Sequence, residues 1–483
     1  MLSHLIMKEL KAILLSPKFP ATFAICSILM LLSVYIGIQE YKVNSEQYSA
    51  ANQLYEEQMH QAHSWLGLRG VALRKPSPLQ VFASGVNYDV GRLAEIGTFQ
   101  SSGAPTLERS TYSEDSIFAI FRFLDFAFIV QVVLTLFAIV FTYDAVTGER
   151  ESGTLQLLFS HPVARVQFLL AKGIGSWLGL VIPLAVPLGL SILLVIVMGV
   201  PMAGVEWLFL ALLILASLLY FTVFVVLGLA VSSLTRRSSL SFLVSLSIWI
   251  LFVLVIPRAG VMVAEQSVRV PTIAQIDGQR AAYAKDRWAQ FYGKLDSTFS
   301  HNRGEEVTEE EQWARFQQQD SLRQDVQNQV EGNDQRVMED LRRRKTVREK
   351  VGYTLARFSP AGSFYLAALQ LAGTDAGIKD RYEDAILQYR NLFKEYVAEK
   401  ERRTPGQGGI TIEMNSETGF KFTGMREGVT LDVSDVPRFQ PPSRNAGEVV
   451  ASVVPDLGIL SGFALIGFMV AFLGFLRYDV RQQ

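Results

Sequence analysis

Few side chains in this 483-residue sequence are spaced for catalysis or metal binding. His60 and His63 lie three residues apart on a predicted helix and, with Met59 beside them, could present soft metal ligands on one face. They lack a neighbouring set of cysteines and carboxylates, so ordinary exposed or packed histidines are the favoured interpretation. The sequence also has no G-x-x-x-x-G-K-S/T phosphate-binding loop. We therefore expect no enzyme activity, catalytic residue or cofactor on this chain.

The stretch best suited to a function is 143–173, with the sequence YDAVTGERESGTLQLLFSHPVARVQFLLAKG. It opens with a cluster of charged residues: Asp144, Glu149, Arg150 and Glu151. Gly153 and Thr154 then precede an apolar run, 155–159, and Pro162 breaks the chain. A short amphiphilic helix of this kind fits a groove on another protein. A plain interfacial loop is the alternative, and the residue pattern alone leaves both open.

The composition indicates that a membrane protein presents this stretch. Hydrophobic residues make up 49% of the chain and charged residues 19%, with a mean hydropathy of +0.24 and a net charge of −1. Near-neutral charge argues against a nucleic-acid partner, which would select a basic surface. Runs of roughly 20 apolar residues can each cross a bilayer as a helix. Six such runs predict six transmembrane helices: 19–38, 123–142, 174–200, 207–231, 240–256 and 457–476.

Basic residues beside the apolar runs predict the orientation, because Lys and Arg resist translocation. They are Lys8, Lys11 and Lys18 before the first run, Arg150, Arg165 and Lys172 between the second and third, Arg236 and Arg237 between the fourth and fifth, and Arg477 and Arg481 after the sixth. The connection 201–206 has no basic residue. We therefore expect both termini in the cytoplasm. A cleaved signal is the competing interpretation of the first run, which is however of full spanning length.

These predictions divide the chain into five regions. They are 1–38, an interfacial helix and the first transmembrane helix; 39–122, a first extracytoplasmic segment; 123–256, transmembrane helices two to five with a cytoplasmic helix near 149–160; 257–456, a large extracytoplasmic domain; and 457–483, the sixth transmembrane helix and a cytoplasmic tail. For the first helix, a cytoplasmic extension of the first span is the alternative.

The large extracytoplasmic domain is expected to be mainly helical with a small β-hairpin. Apolar residues at helical spacing in 326–341 and 378–396 predict two helices, with core packing favoured over a partner surface for the aromatic second stripe. Alternating residues on both sides of a turn at 415–419 predict the hairpin. In the first segment, repeated Pro and Gly across 76–105 predict loops packed on another element.

The stretch GERESGTLQLLFSHPVARVQFLLAKG resembles the coupling-helix region of ABC-2 type permeases, the membrane subunits of ABC transporters. The usual form is a charged cluster, G-T-L, apolar residues, P-V-S-R and Gly-Lys; here Ala164 replaces Ser, and Lys172 precedes Gly173. The segments FSPAGSFYLAALQLAGTD (358–375), DVPRF (435–439) and FLRYDVR (475–481) resemble a subfamily with an extracytoplasmic domain between its last two spans.

The resemblance implies a multi-pass protein of the prokaryotic inner (cell) membrane with two kinds of partner. One is a separate cytoplasmic ABC ATPase in two copies, which would carry ATP and Mg, and the other is a second permease chain, identical or related. The residues carried over as the ATPase contact are Glu149, Arg150, Glu151, Gly153, Thr154 and Leu155.

The spans after Lys172 lack ionisable residues in their interiors, which disfavours an ion or proton carrier. We therefore expect ATP-driven export of a hydrophobic or amphiphilic substrate. The alternative is a mechanical transmitter that couples ATP hydrolysis to an extracytoplasmic partner protein without transport.

Overall fold

The computed structural model describes residues 2–63, 65, 67–97, 124–160, 163–300, 309–403, 411–415, 419–423 and 431–477. The helices in this part of the chain are α1 (Leu2–Leu14), α2 (Lys18–His60), α3 (126–142), α4 (Thr147–Glu151), α5 (Thr154–Phe159), α6 (Arg165–Val197), α7 (Gly204–Leu234), α8 (Ser238–Ser267), α9 (Ile273–Ser300), α10 (Glu309–Ala356), α11 (Pro360–Ala372), α12 (Gly377–Arg403) and α13 (Ala446–Leu476). The strands are β1 (Arg69–Leu73), β2 (Leu93–Gly97), β3 (Thr411–Asn415) and β4 (Gly419–Thr423).

Six helices are long and apolar enough to cross a membrane. They are α2, α6, α7, α8, α13 and the span Phe126–Glu151, which contains α3. The predicted helical membrane fold is thereby confirmed. Two of the six continue past their apolar runs, because α2 extends to His60 and α8 to Ser267. Residues 40–66 lack Gly and Pro, which predicts that the first span continues into a polar helix, and α2 confirms this as far as His60.

Helix α1 is separate from α2 and packs on α6 through two glycines. A Cβ at Gly175 would lie 2.5 Å from Glu9 Cβ, and one at Gly179 would lie 3.2 Å from Ile13 Cδ1. Because no side chain intervenes, the two helix backbones approach closely. Gly173, Gly175 and Gly179 at the start of the apolar run after Lys172 predict helix–helix packing, which the close approach at Gly175 and Gly179 confirms.

We expect Gly175→Leu to push α1 off α6 and to lower the free energy of unfolding by about 1–3 kcal/mol, the usual cost of overpacking. Thermal unfolding of the purified chain in detergent measures this change. Gly189→Leu on the same helix is the control, because a Cβ there meets no atom within 4 Å. Equal melting of the two variants would contradict the close packing of α1.

Helix α11 is buried at the end of the helix bundle farther from α1, between α7, α8 and α13. Its start is capped by Ser359, whose Oγ accepts a hydrogen bond from the Ala361 N–H at 3.0 Å, and Pro360 occupies the first helical position. Gly373 ends the helix in the left-handed conformation with φ +72°. The Phe364 ring stacks on Tyr220 of α7 with centroids 4.6 Å apart. Helix α11 thus fills the bundle at this end.

Helices α9, α10 and α12 with the β1–β2 sheet form what we call the polar domain. Helix α10 packs along both α9 and α8. The aromatic stripe of α12 is buried beneath β1, β2 and the end of α2. Core packing of that stripe is therefore confirmed, and the segment after the first span supplies part of the core.

An ion pair joins α10 to α12 within the polar domain. The Arg342 Nη2 atom lies 2.7 Å from Asp384 Oδ2, and a second guanidinium nitrogen bonds the other carboxylate oxygen. Hydrogen bonding by this guanidinium holds the pKa of the Asp384 carboxyl below its ordinary value. The pair holds the long α10 helix against α12.

The strands confirm one prediction and correct another. Strands β3 and β4 pair antiparallel, as predicted, although the turn residues 416–418 lie outside the described residues. The stretch 76–105 is not all loop, because β2 lies within it and pairs antiparallel with β1. Other residues of this stretch pack on another element, as predicted. Val81 lies against α2, since a Cβ at Gly37 of α2 would lie 2.6 Å from Val81 O. Residues 98–123, Pro162 and Arg481 lie outside the described residues.

Candidate functional site

The segment α4–α5 joins α3 to α6 and contains every residue of the predicted contact. The predicted single helix near 149–160 is two short helices. Gly153 stands between them with φ +74°, a left-handed conformation that ends α4 and favours glycine. Glu149, Arg150 and Glu151 therefore lie on α4 and the apolar residues on α5, with a turn between them.

Glu149 belongs to a network of ion pairs that joins α4 to α1 and α6. Its Oε1 atom lies 2.7 Å from Lys172 Nζ on α6 and 3.1 Å from Lys8 Nζ on α1. Lys172 Nζ also lies 2.8 Å from Glu9 Oε1 on α1. The Lys172 side chain is 6% exposed and both carboxylate side chains are 13% exposed, so these three groups lie inside the protein, whereas the Lys8 side chain is 55% exposed.

Arg150 and Glu151 fasten α4 to the turn between α7 and α8. Arg150 Nη1 donates a hydrogen bond of 2.6 Å to the carbonyl of Thr235, which caps the end of α7. The Glu151 carboxylate accepts hydrogen bonds from the Ser238 N–H at 2.8 Å and the Ser238 hydroxyl at 2.7 Å, at the start of α8. These contacts follow a general pattern, in which cations favour helix C-termini and anions favour N-termini. The start of α4 is held likewise, since Ser232 Oγ of α7 accepts from the N–H groups of Val146 and Thr147.

Helix α5 is anchored by its apolar side. Leu155 is 1% exposed within a cluster that includes Val146, Phe168 and Phe475. The ring of Phe159 lies 5.7 Å from Phe168 and 5.9 Å from Phe475 of α13. Helix α5 is thereby packed on α6 and α13, so four spans in all hold the α4–α5 segment.

The opposite side of α5 is exposed and carries an apolar residue that is not among the six predicted contact residues. Leu157 is 70% exposed. Gly153, Thr154 and Gln156 are exposed beside it, and a Cβ at Gly153 would meet no atom within 4 Å. A signal for Leu157 was available: on a helix, residues two apart lie on different faces, so burial of Leu155 turns Leu157 outward. We call residues 152–154, 156 and 157 the exposed face.

The six predicted contact residues therefore occupy one segment but face different surroundings. Gly153 and Thr154 belong to the exposed face. Glu149 and Leu155 point into the protein, and Arg150 and Glu151 bond to neighbouring helix ends. Glu149, Arg150 and Leu155 thus position this segment within the chain, whereas Glu151 bonds Ser238 and is itself exposed.

The two histidines considered as metal ligands do not share a helical face. Helix α2 ends at His60, and His63 follows that end. Among the described residues, no three His, Cys, Asp or Glu side chains are grouped to hold a metal ion.

The fold is that of a helical membrane protein, and comparison with known proteins specifies its family. Residues 4–332 match the model of the ABC-2 family transporter proteins, and the chain belongs to that family. It is 35% identical over 127 residues to a protein of Stutzerimonas stutzeri and 36% identical over 134 residues to one of Pseudomonas aeruginosa, each named probable ABC transporter permease protein NosY. Each match covers 26% of this chain, and the chain spans just under half of these curated relatives, 45% and 46%.

Proposed function

We propose that this chain is the permease subunit of an ATP-driven ABC transporter complex and that a separate cytoplasmic ATPase docks on the exposed face. The observation that carries the proposal is Leu157, an exposed leucine on a segment that four spans hold in place. An apolar anchor on a rigid support suits a protein interface. Because the segment is fixed to α6, α7, α8 and α13, a push on it would move those helices together. ATP and Mg would bind to the ATPase.

The orientation belongs to the same proposal. Both termini and the α4–α5 segment would lie in the cytoplasm, with α1 in the membrane interface and the polar domain outside the inner membrane of a prokaryote. The supporting features are the basic residues beside α1 and α4. A second permease chain would cover part of the exposed apolar surface of the spans, where Leu193 and Leu465 are 52% and 70% exposed.

The substrate of such a permease would be hydrophobic or amphiphilic. Ranges 174–200 and 207–231 contain no Asp, Glu, Lys or Arg, so neither span offers a charge to an ion. Helix α11 fills the outer end of the bundle, with Phe364 and Tyr220 stacked and fully buried. Export between these helices would require α11 to move.

One observation favours mechanical transmission as the second candidate. Helix α10, at 48 residues, would be about 72 Å long at 1.5 Å per residue. It packs along α8, and Arg357 beyond its end bonds Asp456 of α13. Tilting of α8 and α13 would therefore swing a long lever outside the membrane against an extracytoplasmic protein. Substrate-stimulated ATPase activity of the complex in liposomes supports export, whereas stimulation by a soluble outer partner supports transmission.

We expect Leu157→Asp to weaken ATPase binding by about 2 kcal/mol or more, because a buried charge would replace an interfacial anchor. Copurification of the ATPase with the tagged permease from native membranes measures the loss. Leu392→Asp is the matched control, since Leu392 is 54% exposed but lies on the polar domain. Undiminished copurification with Leu157→Asp would contradict docking on the exposed face.

A further inference from the structure

An open surface depression of about 820 Å³, which we call the cavity, lies on the polar domain where α8 ends and α9 begins. Three arginines line it: Arg269, Arg344 and Arg348. Glu265 is the carboxylate among the lining residues, so positive charge is in excess.

Rigid elements carry these arginines. Arg344 and Arg348 lie four residues apart on α10 and therefore share one face of that helix. Helix α10 packs closely on α8, since a Cβ at Gly260 would lie 3.1 Å from Leu355 Cβ. Arg269 lies in the linker just before α9, which a reciprocal cap fixes: the Thr272 N–H donates to Gln275 Oε1 at 3.0 Å, and the Gln275 N–H donates to Thr272 Oγ1 at 3.3 Å.

The charge of this cavity is only partly neutralised. Arg344 Nε lies 2.7 Å from Asp340 Oδ2. Among the described residues, no carboxylate forms an ion pair within 4.0 Å of Arg269 or Arg348. Guanidinium groups bind phosphate through paired N–H donors, with a geometry that a single ammonium cannot offer. The chemistry of the cavity therefore suits a phosphate group.

An exposed apolar surface leads from the membrane span towards the cavity. On α8, Val255 is 48% exposed, Val261 61% and Met262 66%. Met262 and Glu265 are three residues apart and so share a face that continues to the cavity. The helix rises about 17 Å between Ile256 and Ser267 at 1.5 Å per residue. A molecule with a phosphate head and an apolar tail would match both surfaces.

We propose that this cavity binds a phosphate-bearing group and that, in the export function proposed above, this group is the head of an amphiphilic substrate. The arginines bind the phosphate, and the exposed apolar residues of α8 contact the apolar part of the substrate.

Binding to the purified full chain in neutral detergent tests the site, with two phosphate probes that distinguish the source of the group. Dioctanoyl phosphatidic acid carries the phosphate on an apolar body, inorganic phosphate carries it alone, and dioctanoylglycerol is the uncharged control. We expect phosphatidic acid to bind, and dioctanoylglycerol to bind at least about tenfold more weakly, since charge-assisted hydrogen bonds dominate. If inorganic phosphate binds as tightly as phosphatidic acid, the phosphate site stands, but the proposal that the phosphate belongs to an amphiphilic substrate is overturned.

Gly278→Glu supplies the matched variant. Gly278 lines the cavity, and a Cβ there meets no atom within 4 Å, so the substitution adds a carboxylate without crowding. Gly293→Glu places the same charge in equally open space elsewhere on α9. Phosphatidic acid should bind roughly tenfold more weakly to Gly278→Glu, through like-charge repulsion, and normally to Gly293→Glu. Equal binding by the two variants, or no binding of either phosphate probe, would overturn the site while leaving the Leu157→Asp result unaffected.

Discussion

Lys172→Met is expected to lower the free energy of unfolding by about 3–5 kcal/mol, the cost of removing one partner from a buried ion pair. Lys172 Nζ lies between Glu9 Oε1 at 2.8 Å and Glu149 Oε1 at 2.7 Å. Without this ammonium, Glu9 and Glu149, whose side chains are both 13% exposed, would lose the cation that they share. We expect thermal unfolding in detergent at a lower temperature, together with weaker retention of the ATPase, because α4 positions the exposed face.

Lys8→Met is the control for this prediction. Lys8 Nζ lies 3.1 Å from the same Glu149 oxygen, but its side chain is 55% exposed. Exposed ion pairs contribute about 0–1 kcal/mol, so this variant should melt close to the wild type. If Lys172→Met and Lys8→Met were equally stable, the internal network would not hold α1 and α4 together.

Asp456→Leu is the second variant with a large expected effect. Asp456 on α13 is fully buried and receives both arms of the Arg357 guanidinium, with Nε to Oδ1 at 2.6 Å and Nη2 to Oδ2 at 3.0 Å. Arg357 lies between α10 and α11, so the pair anchors both helices to the last span. Removing the carboxylate leaves a guanidinium unpaired, at a cost of about 3–5 kcal/mol in unfolding free energy measured by thermal unfolding.

The double variant Arg357→Leu/Asp456→Leu distinguishes a lost ion pair from a disturbed helix. Replacing both partners of a buried pair by apolar groups is often neutral or stabilising. We therefore expect the double variant to recover most of the stability lost by Asp456→Leu. A double variant less stable than the single one would show that the pair is not the source of the effect.

The spans could be predicted from sequence because lipid contact demands long apolar runs. The far end of α8 could not, since α8 reaches Ser267 through polar residues that hydropathy assigns to water. The pairing of β1 with β2 could not be predicted from local sequence either. Its five-residue strands are separated by residues 74–92, and no local turn signal joins them.

The candidate segment was found from a local pattern, but the orientation of its side chains depends on partners far away in sequence. Glu149 appeared to be a surface charge because Lys8 and Lys172, its partners, lie 141 and 23 residues away. Glu151 likewise meets Ser238 only when α8 folds back beside α4. Leu157, in contrast, could be inferred from helical periodicity once Leu155 was known to be buried.

Sulfhydryl labelling from each side of the membrane tests most directly whether the exposed face can meet a cytoplasmic ATPase. Single cysteines at the exposed positions Gln156 and Gln318 would be introduced in a Cys26→Ser background, Cys26 itself being 2% exposed. An impermeant thiol reagent added to intact spheroplasts should label position 318 and leave position 156 unlabelled until the membrane is opened. Labelling of position 156 from outside, with position 318 protected, would contradict the proposed docking of an ATPase on the α4–α5 segment.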